Sequence, residues 1–149
     1  MAAIALTFPQ PIVMKLANSI LLVDDSVVFR RALRRTFEAA GWYVCGEAAD
    51  GRDAVEKAEQ LQPQLILLDL AMPGMSGLTA ARLLKQILPE VCLILLTGHG
   101  DLIRSVEASS FGIDAVVSKN EPIADLLAKA KGFILSRSAL NQPQRKIRT

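Results

Sequence analysis

The sequence predicts an α/β fold in which helices cover both faces of a parallel sheet. Four short apolar runs each end in charged or hydroxyl-bearing residues, and the clearest of them is residues 65–68, followed by Asp69. Apolar runs of this length, bounded by turn residues, are typical of strands buried on both faces. Between the runs, apolar residues recur at the spacing of a helix. Strands that alternate with helices in this way favour a parallel sheet.

The first two strands and helices are bounded by capping and turn residues. Strands are expected at residues 19–23 and 42–48, and the second is less apolar, as is typical of an edge strand. Ser26 and Asp50 are positioned to cap the helices that follow, and Gly41 ends the first helix. Apolar residues at helical spacing define the buried faces of these helices: Phe29, Leu33 and Phe37 in the first, and Ala54, Val55, Ala58 and Leu61 in the second.

The remaining three units repeat the alternation. Strands are expected at residues 65–69, 91–96 and 114–118, and helices near residues 78–88, 101–110 and 122–137. Gly74 and Gly77 allow a tight loop after the central strand. Asp101 is positioned to cap the fourth helix, and Pro122 suits the first turn of the last one. With right-handed crossovers, the simplest arrangement is a flavodoxin-like, doubly wound, five-stranded parallel sheet of strand order 2-1-3-4-5 with five helices.

Length and composition indicate one globular domain. The chain has 149 residues, of which 51% are hydrophobic and 21% are charged, which is enough to bury a core. The formal net charge of +2 is too small to indicate nucleic-acid binding. No uncharged apolar run approaches the roughly 20 residues of a membrane span. Cys45 and Cys92 lie in apolar stretches typical of reduced, buried thiols, which favours a cytoplasmic location.

The predicted domain spans residues 19–137. Residues 1–18 are expected to form an N-terminal extension, because they lack the basic start of a signal peptide and are interrupted by Pro9 and Pro11. Residues 138–149 are expected to form a flexible C-terminal tail. No DNA-binding module is present, so the chain is expected to act alone as a relay or adaptor, or to be a fragment of a longer regulator.

Polar residues follow four of the predicted strands. They are Asp24 and Asp25, Asp69, Thr97, and Lys119. The carboxyl ends of parallel strands meet at one edge of the sheet, so these side chains are expected to converge there. Two carboxylates 4 Å apart repel by roughly 4 kcal/mol at an effective dielectric of about 20. Lys119 offsets only part of this repulsion, and the remaining deficit fits an oxygen-liganded divalent cation such as Mg²⁺ or Mn²⁺.

Two chemistries are open for Asp69. It could serve as a metal ligand in a Mg²⁺-dependent hydrolase of small phosphoesters, or it could be a nucleophile that accepts a phosphoryl group. In the second case the metal, Lys119 and Thr97 would neutralise the phosphoryl oxygens from three directions. No histidine or second base lies at a strand end to activate water strongly. That pattern favours a long-lived acyl phosphate.

These residues together resemble the receiver domain of two-component response regulators, in particular the single-domain, chemotaxis-regulator-like members. The matching residues are Asp24-Asp25, Asp69, the loop Met72-Pro73-Gly74-Met75-Ser76-Gly77, Thr97-Gly98, and Lys119. The resemblance implies that Asp69 accepts the phosphoryl group, which Thr97 and Lys119 would contact. The implied donor is a histidine kinase or a histidine phosphotransfer protein.

The resemblance also implies a metal site and two tuning positions. Asp25 would bind Mg²⁺ directly and Asp24 mainly through water, while Asp69 and the backbone carbonyl of Ala71 would complete the protein ligands. In the family, the side chains at Ala71 and His99 border the route of attacking water. These two residues are therefore expected to tune the lifetime of the phosphoryl group, although an exposed loop histidine is an equal alternative for His99.

Two positions depart from the family pattern. Val116 stands where an aromatic switch residue is common, and Asn120 stands where a proline with a cis peptide is common. A cis bond without proline would cost about 3 kcal/mol, so a trans Lys119–Asn120 bond is expected. The expected output face lies near the last helix and includes Val116 and Arg104.

The sequence therefore predicts a phosphorylation-switched signalling domain rather than an enzyme. This domain is expected to assist its own phosphorylation and its slow autodephosphorylation. It would act on a downstream protein through altered contacts, with a homodimer as one option. Two alternatives remain: the phosphohydrolase, against which Ala71 counts because an acid would be expected there, and a receiver-like interaction module that takes no phosphoryl group. Val116 and Asn120 count mildly for the second alternative, and the intact pocket residues count against it.

Overall fold

The computed structural model describes residues 18–98 and 105–140. Within these ranges strands and helices alternate along the chain. Their bounds are β1 Ser19–Val23, α1 Val27–Ala39, β2 Tyr43–Ala48, α2 Gly51–Leu61, β3 Leu65–Asp69, α3 Gly77–Ile87, β4 Cys92–Thr97, α4 Ser105–Ser110, β5 Ala115–Ser118 and α5 Ile123–Leu140. All strand pairs are parallel, and the order is β2-β1-β3-β4-β5. The predicted fold class and strand order are confirmed.

Helices cover both faces of the sheet. One face packs against α2, α3 and α4, through a buried cluster that includes Leu21, Ile66, Leu93, Ala54, Leu84 and Ala108. The other face packs against α1 and α5, through a cluster that includes Ile20, Leu67, Ile94, Phe37, Leu126 and Ala130. Strands β1, β3 and β4 are buried along their whole length. Continuous apolar runs form these strands because neither face of the strand meets water.

Side-chain caps fix where the helices begin. The Ser26 hydroxyl accepts a hydrogen bond from the Phe29 amide, and the Asp50 carboxylate accepts one from the Asp53 amide, as predicted. Ser76 caps α3 in the same way by accepting from the Thr79 amide. Helix α3 therefore starts at residue 77, one position before the predicted start. The predicted cap of α4, Asp101, lies outside the described residues.

The edge strand β2 carries an irregularity at Cys45. Ile20 is paired with Val44, and the next residue of β1 is paired with Gly46, so Cys45 is the extra residue of a β-bulge. Its thiol donates a hydrogen bond to the Ile20 carbonyl at 3.3 Å. Both Cys45 and Cys92 are free, and burial raises the pKa of each thiol. The predicted reduced state is consistent with this environment.

The last helix is longer than predicted. It continues through Leu140, so residues 138–140 of the predicted tail are helical. Arg137 anchors this end, because its guanidinium pairs with Asp114 at 3.0 Å and donates to the Glu90 carbonyl. The remainder of the predicted tail and residues 1–17 of the predicted extension lie outside the described residues. Among the helices described, none has the length and apolar character to span a membrane.

Candidate functional site

Three carboxylates converge at the carboxyl edge of the sheet. One oxygen each from Asp24, Asp25 and Asp69 lies within 4.8 Å of the other two. The sheet produces this contact directly. Strands β1 and β3 are neighbours, and Val23 is paired with Leu68. The next residue of each chain segment, Asp24 and Asp69, therefore lies beside the other at the end of the pair. The predicted acidic pocket is therefore present.

The three carboxylates differ in exposure. Asp24 is fully buried and Asp69 is 2% exposed, whereas Asp25 is exposed to solvent. Burial is the largest reason that the pKa of Asp69 rises from 3.8 to about 6, and the negative charge of Asp24 adds to it. Lys119 and the Ala71 amide, which donates to Asp69 Oδ1 at 3.2 Å, act in the opposite direction.

Lys119 reaches into the pocket from the loop after β5. Its Nζ lies 2.6 Å from Asp24 Oδ2 and 3.2 Å from Asp69 Oδ1. Strand β4 lies between β5 and β3, and both β4 and β3 lie between β5 and β1, so the lysine side chain reaches across the edge of β4 to Asp69 and beyond β3 to Asp24. Partial burial by itself lowers the pKa of Lys119, but the contacts with the two carboxylates outweigh it and raise this pKa above its ordinary value. The ammonium therefore stays charged.

The turn between β1 and α1 holds Asp24 in place. Asp24 Oδ1 accepts a hydrogen bond from the Ser26 amide at 2.8 Å, and its own amide donates to the Ala48 carbonyl at 3.0 Å. Arg30 donates to the Asp24 carbonyl and pairs with Glu47 at 3.1 Å. Because Ser26 caps α1, neither Asp24 nor Asp25 serves as the cap of this helix.

Thr97 ends β4 and lies beside the pocket. Its side chain is buried, and its hydroxyl donates to the Val117 carbonyl at 3.5 Å, which is a long hydrogen bond. The Thr97 carbonyl accepts from the Lys119 amide at 2.8 Å. This backbone contact holds the Thr97 and Lys119 main chains together, so both residues sit at the same edge, as expected.

The departures from the family pattern have simple local structures. Val116 is half-buried against the core between the sheet and its helices. The Lys119–Asn120 bond is trans, because the described residues contain no cis peptide. The Asn120 amide donates to the Ser118 hydroxyl at 3.1 Å, which closes the turn without proline. Two predicted residues, His99 and Arg104, lie outside the described residues.

The loop after Asp69 returns very close to the strand end. The Gly77 amide donates to the Leu70 carbonyl at 2.9 Å. A Cβ on Gly77 would lie 2.3 Å from the Asp69 carbonyl oxygen, so only glycine allows the backbone to approach this closely. The sequence indicated a turn at this glycine, and the structure adds that the glycine also packs directly against the backbone of Asp69.

Two residues of the pocket wall were not predicted to have a role there. Phe29 was assigned to the buried face of α1, yet Lys119 Nζ lies 4.9 Å from the centroid of its ring. Arg30, which contacts the Asp24 backbone, was not assigned to the site. A signal was present in their positions. Because α1 begins beside the pocket, residues three and four positions after its cap point back towards that end.

The donor set fits a hard divalent cation. Carboxylate oxygens are the ligands that Mg²⁺ and Mn²⁺ prefer. Asp24 is fully buried, and its Oδ2 accepts from the Lys119 ammonium at 2.6 Å. Three carboxylates beside one ammonium leave excess negative charge among the described residues of the pocket. The acidic cluster is therefore suited to a metal ion.

Comparison with known proteins identifies the family. The model of the response regulator receiver domain matches residues 20–131. The chain is 33% identical over 108 residues to the chemotaxis protein CheY of Thermotoga maritima, which covers 72% of this chain and 90% of that protein. It is also 40% identical over 118 residues to a protein-glutamate methylesterase/protein-glutamine glutaminase of Archaeoglobus fulgidus, which covers 77% of this chain. The chain spans only 34% of that larger protein.

Solved structures agree with the sequence relatives. A CheY-like response regulator receiver domain protein from Methanospirillum hungatei superposes with a TM-score of 0.77 at 27% identity, covering 83% of this chain and 98% of that one. A LuxR-family two-component response regulator from Aurantimonas superposes with a TM-score of 0.74 at 28% identity, covering 79% and 85%. The chain therefore belongs to the response regulator receiver domain family, the signalling domains of two-component systems.

Proposed function

We propose that this receiver domain is switched by Mg²⁺-dependent transfer of a phosphoryl group to Asp69. The observation that carries the proposal is the convergence of three carboxylates and one ammonium at a single sheet edge. Asp69 is the last residue of the central strand and has the Lys119 ammonium against it. Family membership supports the same assignment.

The Asp69 carboxylate is the nucleophile in this proposal. With a pKa of about 6, it is mostly ionised above neutral pH. One of its oxygens attacks the phosphorus of a phosphohistidine, an acyl phosphate bond forms, and the phosphorus–nitrogen bond breaks. The electron pair of that bond stays on the imidazole nitrogen, which takes a proton from solvent. The donor is then a neutral histidine of a kinase or of a phosphotransfer protein.

Lys119 and Thr97 would stabilise the transferred group. The Lys119 ammonium already contacts an Asp69 oxygen, so a small displacement brings it to a phosphoryl oxygen bonded there. Among the described residues, the Thr97 hydroxyl donates one long hydrogen bond, to the Val117 carbonyl at 3.5 Å. Rotating it towards a phosphoryl oxygen would therefore sacrifice little.

The differing exposure of the carboxylates supports the proposed ligand roles. Asp25 is exposed and would bind Mg²⁺ directly. Asp24 is already engaged by Lys119 and by the Ser26 amide, which favours contact mainly through water. Asp69 and the Ala71 carbonyl would complete the set. When bound, the cation neutralises phosphoryl oxygens during transfer.

The acyl phosphate would be lost slowly, and Ala71 and His99 are the proposed tuning positions. The output is proposed to be a changed protein contact through the face that includes Val116 and Arg104, directed at a downstream protein or at a second copy of the chain. The site is proposed to work in the cytoplasm, where kinase and phosphotransfer domains have access to it.

Intact-mass measurement tests the proposal. Incubation with Mg²⁺ and acetyl phosphate should add one phosphoryl group that is stable in acid and labile in base. The adduct should disappear with excess EDTA and in Asp69→Asn, and it should persist in the control Asp125→Asn, an exposed acid on α5.

Three results would contradict the proposal. An adduct that survives in Asp69→Asn would place the acceptor elsewhere. No adduct with acetyl phosphate or with any kinase tested would favour an interaction module that takes no phosphoryl group. Rapid multiple turnover of small phosphoesters that depends on Asp69 would instead favour the hydrolase.

A further inference from the structure

One contact of the Lys119 ammonium is not with an acid. Its Nζ lies over the aromatic ring of Phe29, 4.9 Å from the ring centroid. A cation within about 6 Å of a ring centroid is attracted by the electron-rich face of the ring. Within residues 18–98 and 105–140, the ammonium therefore contacts one carboxylate from the end of β3, one from the loop after β1, and a ring from α1.

The start of α1 and the adjacent core hold the Phe29 ring in place. Phe29 is the third residue of α1, and its amide is held by the capping hydroxyl of Ser26 at 3.2 Å. Its side chain is half-buried against the core cluster that α1 and α5 share with the sheet. The ring is thus fixed by the helix start on one side and by the core on the other.

Lys119 needs such support more than a shorter side chain would. A lysine carries its charge on a flexible stem with four carbons, and ordering that stem costs conformational entropy. The Lys119 side chain is 22% exposed, so water competes for part of the ammonium. A ring that covers one side removes some of that competition while keeping the charge.

We propose that Phe29 is a positioning residue for phosphoryl transfer, which holds the Lys119 ammonium over the pocket through a cation–π contact. The inference rests on the proposed function of Asp69. A divalent cation in the acidic cluster would share the carboxylates that now hold Lys119, which weakens those contacts. The ring contact does not depend on carboxylate charge, so it keeps the ammonium within reach of an oxygen bonded to Asp69.

Substitutions at position 29 separate the ring from simple packing. Phe29→Leu keeps an apolar side chain against the core but removes the ring, whereas Phe29→Tyr keeps the ring. We expect Phe29→Leu to slow acyl phosphate formation from acetyl phosphate by about two- to fivefold in saturating Mg²⁺. Phe29→Tyr should retain the wild-type rate. The matched control Val28→Ala, at a neighbouring side chain that is 78% exposed, should also leave the rate unchanged.

A double-mutant cycle tests whether the ring acts through the lysine. In a Lys119→Met background, Phe29→Leu should cause no further loss of rate. An equal loss in both backgrounds would show that Phe29 acts through packing, and it would overturn the inference. Thermal melts of each variant confirm that the compared proteins are folded.

NMR provides a readout that does not depend on phosphorylation. The ring current of Phe29 should shift the ε-methylene protons of Lys119 upfield in the wild type and in Phe29→Tyr, and the shift should vanish in Phe29→Leu. Lys119 signals at ordinary positions in the wild type would overturn the contact. If the wild type accepts a phosphoryl group and Phe29→Leu matches its rate, only this inference fails. If the wild type accepts none, the function proposed for Asp69 fails and this inference fails with it.

Discussion

The proposed chemistry of the pocket depends on the carboxylate of Asp69. It is 2% exposed, it ends a strand with no polar neighbour in its own run, and a second buried carboxylate lies beside it. Both features destabilise the ionised form, and the Lys119 ammonium and the Ala71 amide offset them in part. The fold therefore holds an acid whose ionised form is destabilised, and protonation or a bound metal ion would relieve this destabilisation.

Because the ionised form of Asp69 is destabilised in the folded protein, we expect Asp69→Asn to stabilise the metal-free protein. The pKa of Asp69 is raised from 3.8 to about 6 in the folded state, so stability decreases as the pH rises through the window from about 4 to 6. The neutral asparagine avoids this loss. We expect a gain in the free energy of unfolding of about 1–3 kcal/mol near pH 8, which disappears below about pH 4. Urea denaturation in EDTA across this pH range measures it.

The matched control for this prediction is Asp25→Asn. Asp25 is exposed and is not among the groups that raise the pKa of Asp69. Its substitution should change the free energy of unfolding by less than about 0.5 kcal/mol. A gain for Asp69→Asn that grows as the pH falls would contradict the argument.

Gly77 is a second position at which a single atom matters. In Gly77→Ala the new Cβ would lie 2.3 Å from the Asp69 carbonyl oxygen and 2.8 Å from the Leu70 Cα, and backbone atoms cannot move aside easily. We expect a loss of about 2–4 kcal/mol in the free energy of unfolding. Gly132→Ala in α5 has nothing within 4 Å of its new Cβ. It should be neutral or stabilising by up to about 1 kcal/mol. Equal effects of the two substitutions would contradict the packing account.

At the scale of elements, α1 and β2 together fix the turn that carries two of the acids. Arg30 and Arg34 on α1 both pair with Glu47 on β2, at 3.1 Å and 3.0 Å. Arg30 also donates to the Asp24 carbonyl, and Lys57 on α2 donates to the Glu47 carbonyl. The edge strand thus does more than complete the sheet, because its acid orients the helix that follows Asp24.

Glu47→Gln should weaken this connection. It removes a charge shared by two arginines, of which Arg30 is only 14% exposed, so we expect a loss of about 1–2 kcal/mol in the free energy of unfolding. Glu38→Gln removes the more exposed i,i+4 partner of Arg34 and should cost about 0.5 kcal/mol or less. Urea denaturation of both variants measures the difference. A Glu38→Gln loss as large as that of Glu47→Gln would show that burial does not matter here.

The boundaries of the elements show which signals the sequence contains. Ser26 and Asp50 cap their helices as predicted, because a cap depends on residues close in sequence. Ser76 also caps a helix, but the glycine after it indicated a turn, so the start of α3 was placed one residue late. The end of α5 depends on Arg137 reaching Asp114. That contact joins residues far apart in sequence, so the spacing of apolar residues along the helix does not predict it.

At the scale of the whole molecule, the site is a consequence of strand order. Asp24, Asp69, Thr97 and Lys119 lie at the carboxyl ends of four different strands, and the order β2-β1-β3-β4-β5 places these four strand ends side by side at one edge. Apolar runs that end in polar residues made this convergence predictable. The contacts of Phe29 and Arg30 could be anticipated only from their positions just after the cap of α1, and the pairing of Glu47 with α1 depends on which helix packs beside its strand.

The convergence of Asp24, Asp25 and Asp69 also predicts that Mg²⁺ stabilises the whole domain. An ion that binds only the folded state at ten times its dissociation constant adds about 1.4 kcal/mol. We therefore expect the thermal midpoint of the wild type to rise with Mg²⁺ and to fall again with EDTA. Asp25→Asn should lose this response, whereas Glu56→Gln, an exposed acid on α2, should keep it. An unchanged response in Asp25→Asn would place the ion outside the acidic cluster.

A crystal structure of the wild type with Mg²⁺ and beryllofluoride, a mimic of the phosphoryl group, tests the central claim most directly. We expect beryllium bonded to an Asp69 carboxylate oxygen, Mg²⁺ on the Asp25 carboxylate, and the Lys119 ammonium and the Thr97 hydroxyl each within about 3.2 Å of a fluorine. Beryllofluoride bound elsewhere, or Lys119 turned out of the pocket with the mimic in place, would contradict it.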